Sequence, residues 1–247
     1  MRDLIIVIPK RKINKDEFVR LLLGIAIIYY LLSCLTPSDM RLRVSNFSLN
    51  NPIQDVPMVY QNPLLPTGCE AAATAMLLQW VGMDVTMENI ADALPKGKLP
   101  YQSGDKLIGG NPDYEFVGDP YKKSGFGVFH KPIANIINTY LPADDLTGCS
   151  FDDLLKVIDS NRPIIVWATI NMRKPSINAS WIDERGNKVI WKIPEHALVL
   201  IGYTDTQVIV NDPLVGKNIK YNRKDFANYW KYMGSQAVTV HEDYYCE

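Results

Sequence analysis

The sequence predicts an α+β domain in which helices come first and strands come later. Apolar residues recur at helical spacing between residues 67 and 94 and again between 132 and 158. The apolar runs after residue 162 are instead short and bounded by turn residues. This segregated order is typical of α+β domains, whereas a parallel α/β sheet needs alternating elements. Hydrophobic residues make up 47% of the chain, which excludes disorder.

Charge and cysteine content exclude two further classes of protein. The 247 residues include 26 Lys and Arg against 27 Asp and Glu, for a formal net charge of −1. We expect no nucleic-acid partner, because counterion release requires a concentrated basic surface. The 4 cysteines are too few for a disulfide-dense miniprotein, and no internal repeat is found.

Residues 1–36 predict a signal peptide or a membrane anchor. Basic residues precede the apolar run from Leu21 to Leu35, an order that places the rest of the chain outside the cytoplasm. The run contains an LLSC motif that resembles a bacterial lipobox, so Cys34 is either a lipidated N-terminus or an incidental residue of an uncleaved anchor. Residues 37–56 predict a linker and residues 57–247 the globular domain. We therefore expect either a membrane-anchored protein or a secreted one. If the anchor is a lipid, Cys34 is the residue that carries it.

Four helices are predicted in the first half of the domain. The first begins at a capping box formed by Thr67 and Glu70, which are three residues apart. Its apolar face consists of Cys69, Ala72, Ala73, Met76, Leu77 and Trp80. The other three are expected from Thr86 to Leu94, from Pro132 to Leu141 and from Ser150 to Ile158.

The second half of the domain predicts mainly strands. Apolar runs from Ile164 to Ile170 and from Lys188 to Trp191 are followed by a hairpin. That hairpin pairs Ala197–Tyr203 with Val208–Asn211 around a polar turn. Residues 219–240 predict a strand, a helix and a strand. Between the two halves, residues 96–130 form a long segment rich in glycine and aromatic residues, and segments of this kind are usually functional.

Metal and nucleotide sites lack their usual sequence patterns. Neither Cys-x-x-Cys nor His-x-x-x-His occurs, so a zinc site would need scattered ligands. No Gly-x-x-x-x-Gly-Lys-Ser/Thr motif is present, and the Gly-x-Gly at residues 125–127 does not lie between a strand and a helix. We therefore expect no metal and no cofactor.

Cys69 is a candidate nucleophile because the predicted helix places it in the first turn. Free backbone N–H groups and the positive end of the helix dipole stabilise a thiolate at that position. A thiolate attacks carbonyl carbon readily. The alternative is a small buried residue on the apolar face to which Cys69 also belongs, since free cysteines are often buried.

A general base and its orienting group are predicted on the hairpin. His196 begins one strand and Asp212 ends the next, and a turn centred near Thr204 would bring them opposite or diagonal to each other. A carboxylate beside an imidazole fixes its tautomer and stabilises the imidazolium. His130, at the close of the long segment, is the alternative base. Asn211 is the alternative orienter, although its side chain should point to the opposite face of the sheet.

An acyl-transfer site also needs donors for the oxyanion. Gln61 lies eight residues before Cys69 and is separated from it by a loop with two prolines. Its side-chain amide could therefore fold back and act together with the backbone N–H of Cys69. The alternative is an ordinary polar loop residue.

These residues lie within five motifs that occur in a fixed order. They are Tyr60-Gln61 with Leu65-Pro66-Thr67-Gly68-Cys69-Glu70, then FVGDPY at 116–121, GFGVFHKPI at 125–133, HALVLIGY at 196–203 and VIVNDP at 208–213. The set resembles the papain-like cysteine peptidases of the C-39-like, bacteriocin-processing type. More narrowly, it is similar to their stand-alone bacterial branch, over roughly residues 55–240.

The resemblance implies a papain-like fold, in which a helix carrying the nucleophile packs on an antiparallel sheet carrying the histidine and aspartate. It implies Cys69 as nucleophile, His196 as base, Asp212 as orienter and Gln61 as oxyanion donor. Transporter-linked members have Asp-Cys-Gly where this chain has Gly-Cys-Glu, and their glutamine lies closer to the cysteine. The sequence shows no transporter segments, so cleavage of double-glycine leaders during export is not expected.

These observations predict an extracytoplasmic cysteine hydrolase, and more specifically a peptidase acting on a peptide or protein substrate. The aromatic segment 96–130 is expected to line the substrate groove. A peptidoglycan amidase or endopeptidase with the same site is one alternative. A non-catalytic surface-binding protein that keeps the fold is the other.

Overall fold

The computed structural model describes residues 52–244. The signal or anchor segment expected at residues 1–36, and the linker up to residue 51, lie outside the described residues and stay predictions. Within residues 52–244, no helix is long and apolar enough to cross a membrane.

The helices form close to where the sequence predicts them. Their bounds are α1 (Cys69–Trp80), α2 (Met87–Ala93), α3 (His130–Ile137), α4 (Phe151–Asp159) and α5 (Arg223–Tyr232). Residues 69–78 of α1 are all buried, which its run of alanines permits because small side chains allow close packing on every side. Ser150 caps α4, as predicted, by accepting a hydrogen bond from the Asp153 N–H at 3.1 Å.

The predicted capping box of α1 is wrong. The residue before the helix is Gly68, and no side chain caps it. The Thr67 hydroxyl instead donates to the Lys122 carbonyl at 3.0 Å, and Glu70 accepts a hydrogen bond from the Val128 N–H at 2.7 Å. Both side chains therefore tie the start of α1 to the long segment that precedes α3, and long-range contacts replace the local ones.

Twelve strands are found among the described residues, and they form three sheets. Their bounds are β1 (Lys96–Gly97), β2 (Tyr101–Ser103), β3 (Lys106–Ile108), β4 (Phe116–Val117), β5 (Ala143–Asp145), β6 (Ile164–Thr169), β7 (Ser176–Ile182), β8 (Lys188–Ile193), β9 (Glu195–Tyr203), β10 (Gln207–Asp212), β11 (Gly216–Asn222) and β12 (Ala237–Val240).

The main sheet has six strands in the order β11-β10-β9-β6-β12-β5, and all neighbouring strands are antiparallel. Its centre is the most apolar part, because β6 is buried along its whole length and β9 is buried from His196 to Gly202. Helix α1 packs against β9 and β6. The predicted α+β class is therefore confirmed, with the first helix lying on an antiparallel sheet.

The long segment 96–130 contains short strands that the sequence did not predict. β1 and β4 pair in parallel with each other, and β2 and β3 join β7 and β8 in a four-stranded sheet of order β2-β3-β7-β8. β7 was also missed, because its polar residues hide the alternation typical of a strand. Its strand β8 ends at Ile193, two residues before β9 begins. The second sheet therefore adjoins the end of β9 that carries His196.

Residues 52–56, which the sequence placed in the linker, pack on the main sheet. The Ile53 N–H donates to the Ile201 carbonyl at 2.7 Å, and Val56 is fully buried. Asn211 fixes the same segment, since its Nδ2 donates to the carbonyls of Val56 at 3.2 Å and Pro57 at 3.1 Å. The packed domain therefore includes residues before the expected boundary at Pro57.

Replacing Asn211 should destabilise the domain. Asn211→Ala leaves the carbonyls of Val56 and Pro57 and the Asn218 N–H, which donates to Asn211 Oδ1 at 3.1 Å, without their buried partner. We expect a loss of about 2–4 kcal/mol in the free energy of unfolding, measured by urea denaturation. The exposed helical residue Asn135 supplies the control, since Asn135→Ala should change stability by less than about 0.5 kcal/mol. Equal effects of the two changes would contradict the anchoring role of Asn211.

Candidate active site

Cys69 is the first residue of α1, and the tight approach of the preceding loop fixes its position. A Cβ at Gly68 would lie 2.7 Å from the Cβ of Leu65, so only glycine fits at the residue before the cysteine. Cys69 itself is buried, with 6% of its surface exposed. Its backbone N–H belongs to the first turn, where a helix leaves N–H groups without intrahelical acceptors.

His196 and Asp212 are hydrogen-bonded to each other in the main sheet. Their Nε2 and Oδ1 atoms are 2.7 Å apart, and each side chain is 1% exposed. They are not directly opposite: Asn211 pairs with Val199, and a register shift occurs between Ile209 and Val210. The side chains therefore meet diagonally, as the sequence allowed, because strand twist brings diagonal neighbours within reach.

Three donors hold Asp212 in its ionised form. Besides His196, the Leu214 N–H donates to Oδ1 at 2.9 Å and the Tyr221 hydroxyl to Oδ2 at 2.8 Å. Burial alone would raise the pKa of Asp212, but these hydrogen bonds, that of His196 foremost, hold it below its usual value. An ionised Asp212 requires the proton of His196 to be on Nε2, which leaves Nδ1 as the basic nitrogen.

The sulfur of Cys69 lies at the end of β9 that carries His196. The packing of α1 on β9 brings it near the backbone N–H of Ala197, the residue after His196, and that hydrogen bond favours the thiolate. The structure thus places the Cys69 sulfur near the end of β9 that carries His196, whose partner Asp212 ends β10. Within the described residues no hydrogen bond joins the Cys69 thiol to His196, because the thiol is bonded to Glu70 instead.

Two glutamates that the sequence analysis did not assign to the site lie against the Cys69 sulfur. The Cys69 thiol donates to Oε2 of Glu70 at 3.3 Å, and Glu195 precedes His196 on β9. The sulfur and one carboxylate oxygen from each glutamate lie within 4.8 Å of one another. Among residues 52–244 these three side chains form one cluster of atoms that could also act as metal ligands. The cluster includes the candidate nucleophile.

This cluster reverses the expected effect of the helix start on the thiol. Burial raises the pKa of Cys69 well above its usual value, and the charges of Glu70 and Glu195 raise it further. Burial also raises the pKa of Glu70 to about 7. The pKa of Glu195 is raised well above its usual value by burial and by Glu70. Desolvation and the two carboxylates therefore outweigh the helix dipole, and the pKa of Cys69 is raised where the sequence led us to expect it to be lowered.

Gln61 is buried near the site, but its amide hydrogens are already bonded. Nε2 donates to the carbonyls of Leu65 at 3.3 Å and Pro66 at 3.2 Å, which orders the loop leading to Cys69. Its backbone N–H donates to the Pro213 carbonyl at 3.1 Å, next to Asp212. Gln61 therefore connects the loop before Cys69 to the end of β10, and its Oε1 is buried without a hydrogen-bond partner among residues 52–244.

The other histidines are occupied elsewhere. His130 begins α3, and its Nδ1 lies 2.6 Å from Oδ2 of Asp145 on β5. His241 pairs through Nδ1 with Asp144 at 2.7 Å. Both pairs lie at the opposite edge of the main sheet from β10, since β5 is its last strand.

The comparisons with known proteins give the family. A model of the Peptidase_C39 like family matches residues 53–238. The chain belongs to this family. It is 37% identical over 180 residues to the uncharacterized protein YvpB of Bacillus subtilis (strain 168), covering 72% of this chain and 70% of the relative. A crystal structure from Bacillus anthracis, described as a proposed C39-like peptidase, has a TM-score of 0.71 and 32% sequence identity. The alignment covers 77% of this chain and 96% of that one.

The family match and the fold together confirm two predictions made from the sequence. The resemblance to C39-like peptidases is confirmed over most of the chain, and so is the papain-like arrangement of a helix packed on an antiparallel sheet. Glu70, Glu195 and Tyr221 are the site residues that sequence reasoning missed. Glu70 and Glu195 each stand next to a predicted catalytic residue in the sequence, which is the one signal that could have drawn attention to them.

Gly127 allows the two glutamates to come together, so replacing it should disturb the site. A Cβ there would lie 2.5 Å from Oε1 of Glu70 and 3.3 Å from Oε2 of Glu195. We expect Gly127→Ala to lower the free energy of unfolding by about 1–3 kcal/mol more than Gly216→Ala, measured by urea denaturation. Gly216 is the matched control, because its φ (148°) is close to that of Gly127 (154°) and the atom nearest to its added Cβ is the Tyr60 hydroxyl oxygen at 3.4 Å. Equal losses would mean that backbone strain alone explains the effect.

The reactivity of Cys69 should rise with pH, and Glu70 should control where it rises. We expect the rate of Cys69 alkylation by iodoacetamide, followed by peptide mass spectrometry, to increase up to a pH above the ordinary thiol range. Glu70→Gln removes a charge that raises the thiol pKa, so the profile should shift to lower pH. The substituted amide still offers an oxygen to the Val128 N–H. Fast alkylation of the unmodified protein at pH 6 would show a preformed thiolate and contradict this assignment.

Proposed function

We propose that this member of the C39-like family is a cysteine peptidase that hydrolyses peptide bonds in a peptide or protein substrate. The observation that carries the proposal is the buried 2.7 Å hydrogen bond between His196 and Asp212, at the strand end where the Cys69 sulfur lies. A nucleophile, a base and a group that orients the base are the minimum required for covalent acyl transfer.

The tautomer of His196 determines how the proton would move. Because Nε2–H donates to Asp212, Nδ1 is the nitrogen proposed to take the proton of the Cys69 thiol, which must first turn from Glu70 to His196. The sulfur attacks the scissile carbonyl carbon to form a tetrahedral intermediate, which collapses to a thioester as the leaving amine receives the proton from Nδ1. Nδ1 then removes a proton from water, and the resulting attack on the thioester releases the acid and restores the thiol. Asp212 stabilises the imidazolium in each half of the cycle.

We propose that the resting site holds a neutral thiol rather than a thiolate–imidazolium pair. The raised pKa of Cys69 follows from burial and from the neighbouring carboxylates. Proton transfer to His196 is therefore proposed to accompany the attack on substrate, when the developing charge on sulfur passes directly to the carbonyl oxygen. This order keeps a reactive thiolate from accumulating before substrate arrives.

The oxyanion is proposed to bind to the backbone N–H of Cys69 and to the side-chain amide of Gln61. The N–H is available because it lies in the first turn of α1. The amide of Gln61 is bonded to the carbonyls of Leu65 and Pro66, so it must give up at least one of these hydrogen bonds to reach the oxyanion. Donors of this kind stabilise the transition state more than the ground state.

We propose further that the reaction takes place outside the cytoplasm. This part of the proposal rests on the sequence alone, because the basic residues of the first twenty positions precede the apolar run that follows them.

Substitution of each member of the triad tests the mechanism. Cys69→Ser and His196→Ala should abolish cleavage of an unfolded protein such as casein, with His196→Ala losing about 10²–10⁴-fold or more in rate. Asp212→Ala should lose less, because Asp212 orients and stabilises His196 and does not touch the substrate.

His130→Ala is the matched control for the histidine. His130 also pairs with an aspartate, at 2.6 Å, but on the far edge of the sheet. Activity should persist in this variant, provided that circular dichroism shows all variants to be folded. Retained activity in Cys69→Ser or His196→Ala would overturn the proposed mechanism, and inactivation by His130→Ala alone would reassign the base.

A further inference from the structure

A groove of about 380 Å³ opens beside the candidate triad. Its lining includes Phe126, Trp191, Pro194 and Glu195. Two aromatic rings form its apolar part: Phe126 and Trp191 meet edge to face, with centroids 5.4 Å apart. Trp191 is held in turn by a stack with Phe129, with centroids 5.7 Å apart and planes 5° from parallel. Ile170 and Ile193 complete the apolar lining, so the groove combines ordered aromatic rings with aliphatic side chains.

Glu195 gives this groove an unsatisfied acidic group. Its Oε1 is buried and has no hydrogen-bond partner within residues 52–244. Buried polar atoms in folded proteins are nearly always bonded, so an orphaned carboxylate oxygen at a groove points to a partner that arrives with the ligand. Because Glu195 directly precedes His196 on β9, that partner would lie next to the scissile bond.

The groups around Glu195 determine which charge a ligand must carry to bind there. One carboxylate oxygen of Glu70 and the Cys69 sulfur lie within 4.8 Å of a carboxylate oxygen of Glu195, and both groups are acidic. Burial and the charge of Glu70 both raise the pKa of Glu195, and no cation among the described residues lowers it. An anionic group would be repelled from this position. A neutral group would not offset the cost of burying the Glu195 carboxylate beside Glu70. A cation would offset that cost.

We propose that the groove is a specificity subsite for a basic side chain, lysine or arginine, of the peptide substrate, with Glu195 as the group that recognises its charge. The inference rests on the proposed function. The aliphatic stem of such a side chain packs along the Phe126 and Trp191 rings while the charged end reaches the carboxylate. The ring faces add a favourable cation–π contribution. Glu195 is thus assigned a role in choosing the substrate, separate from the roles of the triad.

A peptide series with one varied position tests the assignment. The probes are internally quenched octapeptides that carry Lys, Arg, norleucine or Glu at each position in turn. Norleucine is the reference, since it matches the lysine stem without the charge. At one position we expect kcat/KM for Lys or Arg to exceed that for norleucine by about tenfold or more, the size of a hydrogen bond to a charged group.

The preference should depend on the charge of Glu195. Glu195→Gln should reduce the Lys-to-norleucine ratio to near one, and Glu195→Lys should favour the Glu peptide. Glu184→Gln is the matched control, because Glu184 is an exposed acid on the neighbouring β7–β8 turn that pairs with Lys98. It should leave the ratio unchanged. Equal cleavage of Lys and norleucine peptides at every position, or an unchanged ratio in Glu195→Gln, would overturn the inference while leaving the peptidase proposal intact.

A binding measurement separates this inference from the proposed function. If no peptide is cleaved, the peptidase proposal fails, and the same peptides labelled with a fluorophore are titrated with the Cys69→Ala variant. Tighter binding of the Lys peptide than of the norleucine peptide, lost in Cys69→Ala/Glu195→Gln, would still support a subsite for basic side chains. Equal binding of the two peptides would reject it.

Discussion

The packing of the start of α1 against the start of β9 is the contact on which the site depends. It brings the Cys69 sulfur to the backbone of Ala197 and so to the strand end that carries His196. The contact requires small residues on the helix, which the alanines supply, and a glycine before the cysteine, because any Cβ at Gly68 would overlap Leu65. The position of the nucleophile is thus set by close packing in the core rather than by hydrogen bonds at the surface.

That packing has an electrostatic consequence, since it also buries Glu70 and brings it to Glu195. A helix that began at a solvated surface would stabilise a thiolate, whereas this one begins in a dry environment shared with two acids. The hydrogen bond from the Val128 N–H to Glu70 then fixes the glycine-rich segment 125–128 over the cluster. One helix start therefore organises the nucleophile, the acids beside it and the groove that they border.

The sequence predicted what depends on neighbours along the chain. Helical spacing gave α1, and the turn near Thr204 gave the hairpin and the diagonal meeting of His196 with Asp212. It failed where distant segments compete with local bonding. Thr67 bonds to Lys122 and Glu70 to Val128, so the capping box did not form. Glu195 was missed for the same reason, because the groups that pack against it, Cys69 and Glu70, are far away in the sequence. Tyr221 lies only nine residues after Asp212, and it was missed because the sequence did not predict the pairing of β10 with β11.

Two carboxylates at the ends of neighbouring strands have pKa values shifted in opposite directions, and the difference follows from their hydrogen-bond donors. Asp212 receives hydrogen bonds from His196, Leu214 and Tyr221, which hold it ionised despite burial. Burial and the neighbouring Glu70 raise the pKa of Glu195, and among the described residues no donor bonds to its Oε1. Two acids with their pKa values pushed apart can serve two roles in one site. In the proposed mechanism Asp212 supports the base, and in the proposed subsite Glu195 meets the basic side chain of the substrate.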